Sequence, residues 1–238
     1  MQRHQRASVF DNRQRSIHAS QERVRNPSLT VLLVLELCLV FLAAPLAAKG
    51  LLIAGPIIQT MVFVVVVIVV MVSHRRGAIV VILLGLAATL ASVSLGSGWS
   101  PVAASVLRRG GTILTFSALT WVVSHAVYAP GRITFHRLQG AVVVYLNLAI
   151  IFTSAFTLIW EINPAAFANL PAPAGGPGDL ATMLYFSLTT LTTTGYGDIV
   201  PLDPFARSLA NLESVLGQFY LAITVARLVT LELEDRRR

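Results

Sequence analysis

The sequence predicts an all-α polytopic membrane protein: six transmembrane helices, with a short re-entrant helix and an irregular loop between the fifth and the sixth. Three observations predict it. Of 238 residues, 55% are hydrophobic and 12% charged, where soluble domains carry about a quarter charged residues. Six stretches, roughly 29–48, 51–72, 77–95, 106–128, 138–160 and 205–230, are apolar over about the 20 residues that a bilayer crossing takes. The basic residues gather in alternate connections between these stretches.

Taken in order, residues 1–28 are polar and Arg-rich, too long and too charged for a cleaved signal, so the first span reads as a retained helix behind a basic tail. The first two spans meet at a tight turn around Ala48-Lys49-Gly50. The run Val62–Val72 is dense in β-branched residues. In water it would read as a strand, but a segment in lipid must satisfy its own backbone, which makes it a helix. Pro101 and Gly110-Gly111 interrupt the fourth pattern, leaving 101–109 as a candidate separate short helix. Residues 29–130 thus form a four-helix scaffold and 131–238 a second unit. Within it, Asn163 to Gly178 is rich in Pro, Gly and Ala and reads as an external turret. Asp179 is the expected N-cap of a helix over about 180–191. That helix is too short to span, and its C-terminal partial negative charge would favour a cation.

Arginines precede the first span, lie between the second and third (Arg75-Arg76), between the fourth and fifth (Arg132, Arg137), and end the chain (Arg236-Arg237-Arg238). With six spans all fall on one side, the cytoplasm by the positive-inside rule, and both termini with them. Lys49, Arg207 and Arg108-Arg109 fall on the other. The net charge of +7 therefore reads as membrane orientation, not nucleic-acid binding. Cys38, the single cysteine, lies in the first span and excludes a disulfide framework.

The most informative stretch is Thr192-Thr193-Thr194-Gly195-Tyr196-Gly197-Asp198. A dehydrated cation needs oxygens to replace its water shell. Backbone carbonyls provide them when successive ones point to one axis, which puts alternate residues in conformations open mainly to glycine, here Gly195 and Gly197. The Thr193 hydroxyl would add the innermost oxygen. Tyr196 would point away and wedge against surrounding aromatics.

This stretch and its surroundings resemble the tetrameric potassium channels, over roughly residues 140–230. Tyr185-Phe186 stand where that family has its aromatic cuff, Thr189-Thr190-Leu191-Thr192 match its Thr-rich run into the filter, and Asp198 and Pro201 match the exit. Gly217 matches the gating-hinge glycine and Gln218 a cavity-lining position. The resemblance implies a homotetramer in the cell membrane that conducts K+ passively, with K+ held at Thr193, Thr194, Gly195 and Tyr196 up to Gly197, no cofactor and no enzyme activity. Two positions depart from the family. Thr194 replaces the usual Val, which keeps a non-selective cation channel as an alternative. Thr189 stands where some bacterial pores have a Glu that pairs with the post-filter Asp. A potassium-uptake transporter with pore-like loops is the further alternative, although such chains carry four loop repeats and this one has a single loop.

Ionisable residues inside spans are functional candidates. Glu213 is expected behind the filter, supporting it through Tyr185 or Thr190, with a carboxylate facing the ion cavity as the alternative. Glu36 is expected to pair with His125, with Arg75 as the alternative. Arg227 is expected to snorkel to the interface. A voltage sensor is not expected, because Thr112 to Tyr128 holds no Arg or Lys and no Asp or Glu occurs between Glu36 and Glu161. The five histidines are scattered without metal-ligand spacing. The Arg-rich tail is suited to anionic lipid.

Overall fold

The computed structural model describes residues 29–49, 76–94, 100–128 and 135–236. The basic tail, the turn at Gly50 and the expected span 51–72 lie outside them. The main helices are α1 (Leu29–Ala48), α2 (Arg76–Ser94), α3 (Pro101–Val127), α4 (Phe135–Ile162), α5 (Pro177–Leu191) and α6 (Pro204–Arg236). Four candidate membrane spans stand among the described residues: α1, α3, α4 and Pro204–Thr230 of α6. The apolar part of α2, Gly77–Ser92, is shorter.

Two sequence expectations are corrected here. Residues 101–109 are not a separate helix, since α3 runs unbroken from Pro101 through Gly110-Gly111. Pro101 sits in the first turn, where its missing N–H has no helical partner to lose. Ser100 caps that turn by accepting from Ala103 N at 3.2 Å. The glycines serve a helix crossing: a Cβ on Gly111 would meet the Gly85 carbonyl at 2.5 Å and Thr89 Oγ1 at 2.6 Å. Small residues let membrane helices approach backbone to backbone. The second correction is at α5, which starts at Pro177 with Gly176 as N-cap. Asp179 lies inside the first turn, and its carboxylate reaches back to accept from Gly175 N at 2.6 Å.

The interior of α1 contains Pro45, which has no N–H to donate and crowds the carbonyl four residues back. The helix accommodates this by widening to a π-helical stretch over Leu39–Ala43. α1 runs parallel to α4, as Thr30 Oγ1 donates to Gln139 Oε1 at 2.8 Å while Ile150, further along α4, packs against the cluster that holds Val40 and Ala44 of α1. One apolar core joins α1–α4 through Leu32, Ile82, Phe116, Leu119, Val123 and Val143. A second gathers Phe152, Phe156, Trp160, Phe167, Met183 and Phe186 beneath the loop.

The turret closes on the far side of the loop. Phe167–Ala168 pair antiparallel with Val200–Pro201, Phe167 opposite Pro201. The Ala166 carbonyl accepts from Leu202 N at 2.8 Å and Asp203 N at 3.2 Å. Asp203 then caps α6, taking the Phe205 N–H at 2.8 Å and the Ala206 N–H at 3.2 Å.

Candidate functional site

The Thr192–Asp198 loop leaves the C-terminal end of α5, and every one of its residues is exposed on the single chain. Its backbone alternates. Thr193, Gly195 and Gly197 have φ of 57°, 55° and 77°, while Thr192 at the helix end is right-handed. Gly195 and Gly197 take this region as expected. Thr193 takes it against its β-branch, a conformation sparsely populated for such residues. The turn is held by hydrogen bonds to carbonyls at the end of α5: Thr193 N to Thr190 O at 2.9 Å, and Thr194 N and Gly195 N to Thr189 O at 2.8 and 3.2 Å.

Around the loop, side chains from three elements make its polar shell. Gln218 of α6 donates from Nε2 to Thr193 Oγ1 at 3.2 Å. The Thr192 and Thr194 hydroxyls pair at 2.8 Å. Tyr185 donates its hydroxyl to Asp198 Oδ2 at 2.7 Å, the bond that chiefly raises its phenol above the ordinary tyrosine value. Its ring stacks on Tyr196, centroids 6.2 Å apart and planes 5° apart. Asn169 in the turret donates to the Asp198 carbonyl at 3.0 Å. Phe186, next to Tyr185, turns the other way and packs edge-on against Phe156 and Phe167 at 4.9 and 5.5 Å. The Thr189 hydroxyl turns back on its own helix, to Phe186 O.

Glu213 is fully buried behind α5, as expected, but its partner is corrected. Neither Tyr185 nor Thr190 reaches it. Ser187 Oγ lies 2.5 Å from Glu213 Oε1 and 2.9 Å from the Ala149 carbonyl of α4. The Thr190 carbonyl is taken by Ser214 at 3.1 Å, and Tyr185, two residues from Ser187, faces the loop. Successive helix positions two apart point about 200° away from one another. Gly217 lies against α5, and a Cβ there would collide with the Leu191 carbonyl. The same carbonyl receives the Tyr145 hydroxyl at 3.3 Å. Ser187, Ser214, Tyr145 and Asn169 were not singled out in the sequence. The serines have a readable signal, since each sits on a helix face already occupied by a named residue.

Two further expectations are corrected. Glu36 is fully buried and has no hydrogen-bonding partner among the described residues; His125 lies on the exposed face of α3, and Arg75, the alternative, lies outside the described residues. Arg108 and Arg109 do have an acid. Both bind Glu161 Oε1, at 3.0 and 2.7 Å, across the α3–α4 interface. Arg227 is exposed, as a snorkelling residue would be.

The ion channel family model matches residues 138–233. Over 80 residues, 34% of this chain and 15% of the relative, the chain is 32% identical to the potassium voltage-gated channel protein shk-1 of Caenorhabditis elegans. It is 29% identical over 82 residues to the inward rectifier potassium channel Kirbac3.1 of Paramagnetospirillum magnetotacticum, covering 28% of that protein. It is 27% identical over 122 residues to protein LctB of Geobacillus stearothermophilus, covering 50% of this chain and 89% of that one. No solved structure matches. The matched segment runs from α4 through the loop to α6, and over it the chain is similar to the ion channel family.

Proposed function

We propose that four copies of this chain assemble about one axis as a K+-selective channel in the cell membrane, termini in the cytoplasm, conducting K+ passively. The observation that carries this reading is the left-handed backbone at alternate residues Thr193, Gly195 and Gly197. Alternation of hand turns successive carbonyls to one side of the chain. Four such strands would offer the carbonyls of Thr193, Thr194, Gly195 and Tyr196 in place of hydration water. One loop is a quarter of such a ring, so cyclic fourfold assembly follows, and it would cover the loop surface exposed on one chain. Asp198, Tyr185 and Phe186 support the loop from outside, Thr189 and Thr190 from the end of α5, and Glu213 from behind. Gln218 lies at the cavity end. Gly217 serves as the point where α6 bears on α5, and any bending of α6 there keeps that close approach. The Arg-rich tail is assigned to anionic lipid.

The test is a planar-bilayer recording of purified protein under opposed K+ and Na+ gradients, with the mass of the solubilised particle. A reversal potential near the K+ equilibrium value and a fourfold mass support the proposal. A reversal potential near zero favours the second reading, a non-selective cation channel. That reading rests on Thr194, whose hydroxyl pairs with Thr192 at 2.8 Å where the family's usual residue is apolar. A monomeric particle overturns both.

A further inference from the structure

Two fully buried polar side chains, Glu36 of α1 and Asn147 of α4, have no part in the conduction reading. The two helices are parallel, and the Leu29 side chain lies 3.9 Å from where a Cβ on Gly140 would stand. Seven residues are close to two full helical turns, about 10 Å of rise, so each helix presents the same face again one heptad later. On α1 that residue is Glu36 and on α4 it is Asn147. The buried stripe of α1 runs Leu32, Glu36, Val40, and that of α4 runs Gly140, Val143, Asn147. The register therefore sets Glu36 opposite Asn147.

Both side chains are 0% exposed. Glu36 Oε1 and Oε2 and Asn147 Oδ1 and Nδ2 all lack a hydrogen-bond partner. The four atoms form a complementary set in one protonation state only. A carboxylate is acceptor-only and would present two acceptors to an amide with one acceptor and one donor group. A carboxylic acid presents one donor and one acceptor, which matches the amide edge to edge.

Among the described residues, no cation compensates a charge at this place. On α3, His125 is on the exposed face, and Arg108 and Arg109 are bound to Glu161. On α4, His136 and Arg137 stand ten or more residues back from Asn147, about 15 Å along the helix, and Tyr145 is bonded to Leu191 O. On α5, Asp179 is bonded to Gly175 N and Tyr185 to Asp198, and on α6 Glu213 takes Ser187. The charged residue of α2 is Arg76, at its first position, and Lys49 lies thirteen residues beyond Glu36, about 20 Å. An ionised carboxylate buried without a partner is strongly disfavoured, whereas a hydrogen-bonded neutral acid is not.

We propose that Glu36 is a proton-binding site: protonated, it closes an acid–amide pair with Asn147 that fastens α1 to α4. One turn further on, Val40 and Ala44 of α1 pack on Leu184 of α5, so the same proton secures the helix that carries the loop. Deprotonation breaks the pair and loosens α1.

The experiment is infrared spectroscopy of the full-length protein in lipid at neutral pH, wild type minus Glu36→Gln. The expected difference is the carbonyl stretch of a protonated carboxylic acid. Asn147→Leu should move that band to the position of an unbonded acid, and Asn147→Ser provides the same reading should the leucine variant not fold. Wild-type melting temperature should fall as pH rises from neutral to alkaline, and Glu36→Gln should flatten that fall. Carboxylate bands in the difference spectrum, or a carbonyl band indifferent to both Asn147 variants, overturn the proposal. None of these readings depends on whether the chain conducts.

Discussion

The two halves of the described chain use their polar side chains differently. In α2 and α3, Thr89, Thr112, Thr115 and Thr120 each donate to the carbonyl four residues back in their own helix. From α4 to α6, hydroxyls such as Thr153, Ser154 and Thr157 also close on their own helix, but others, with an amide, reach across elements: Ser187 to Glu213 and Ala149, Ser214 to Thr190, Tyr185 to Asp198, Gln218 to Thr193. A hydroxyl that closes on its own helix leaves helix positions to apolar packing and small-residue crossings. One that bonds to another element fixes a distance between backbones. The first half is therefore built to hold shape and the second to hold a geometry, and substitutions should separate the two.

The largest effect is expected at Gly197, where φ is 77°. A β-carbon there disfavours the left-handed backbone by about 1–2 kcal/mol per chain, repeated in each copy of an assembly. Gly197→Ala should abolish K+ flux in liposomes while the particle mass and melting temperature stay near wild type. Retained selective flux would remove the loop from the function.

The converse variant is Glu161→Leu. Glu161 is 7% exposed and holds Arg109, itself 10% exposed in its side chain. Removing the acid strands a buried cation, expected to destabilise by about 3–5 kcal/mol. Arg108, more exposed, contributes less. The melting temperature should drop while any K+ over Na+ preference persists. A change in ion preference would erase the division between the halves.

Ser187→Ala sits on the boundary between them. It leaves Glu213 buried without its hydrogen-bond partner, at about 1–3 kcal/mol, and should lower both thermal stability and flux, the latter without changing the reversal potential.

Smaller still is Thr194→Val, expected to keep or sharpen selectivity in bi-ionic recordings. Loss of selectivity would show that the Thr192–Thr194 hydrogen bond is required.

Least of all is expected from neutralising Arg108, Arg109 and Glu161 together. A sensor needs several charges moving through the field, each worth about 2.3 kcal/mol per 100 mV. This cluster is an ion pair fixed between α3 and α4, so the slope of conductance against voltage should not change.

The sequence already contained most of the second half. Its motif, the bounds of α4 and α6, and the burial of Glu213 followed from residue types and periodicity, which act locally. What it did not contain were pairings between distant positions. Glu161 meets Arg109 across 52 residues, a pairing near in space and distant in sequence. Gly110-Gly111 read as a breaker because Gly85, its crossing partner, lies on another helix. Thr193 was missed as left-handed because only glycines were assigned that region. The two-residue alternation through Gly195 and Gly197, extended one step back, would have reached it. Asn147 went unremarked because an uncharged amide in a span carries no signal until its neighbour is known.

The two-residue ladder between turret and loop exit has a mechanical consequence. With Ala166 accepting both Leu202 N and Asp203 N, and Asp203 capping α6, the N-terminal end of that helix is pinned to the loop's frame. Much of the rest of α6 is exposed on the single chain. The helix is thus a lever with its fulcrum where Gly217 rests on Leu191. From there to Arg236 is about 28 Å of helix, so a tilt of about 10° sweeps the far end through about 5 Å while the pinned end follows only as far as the turret flexes.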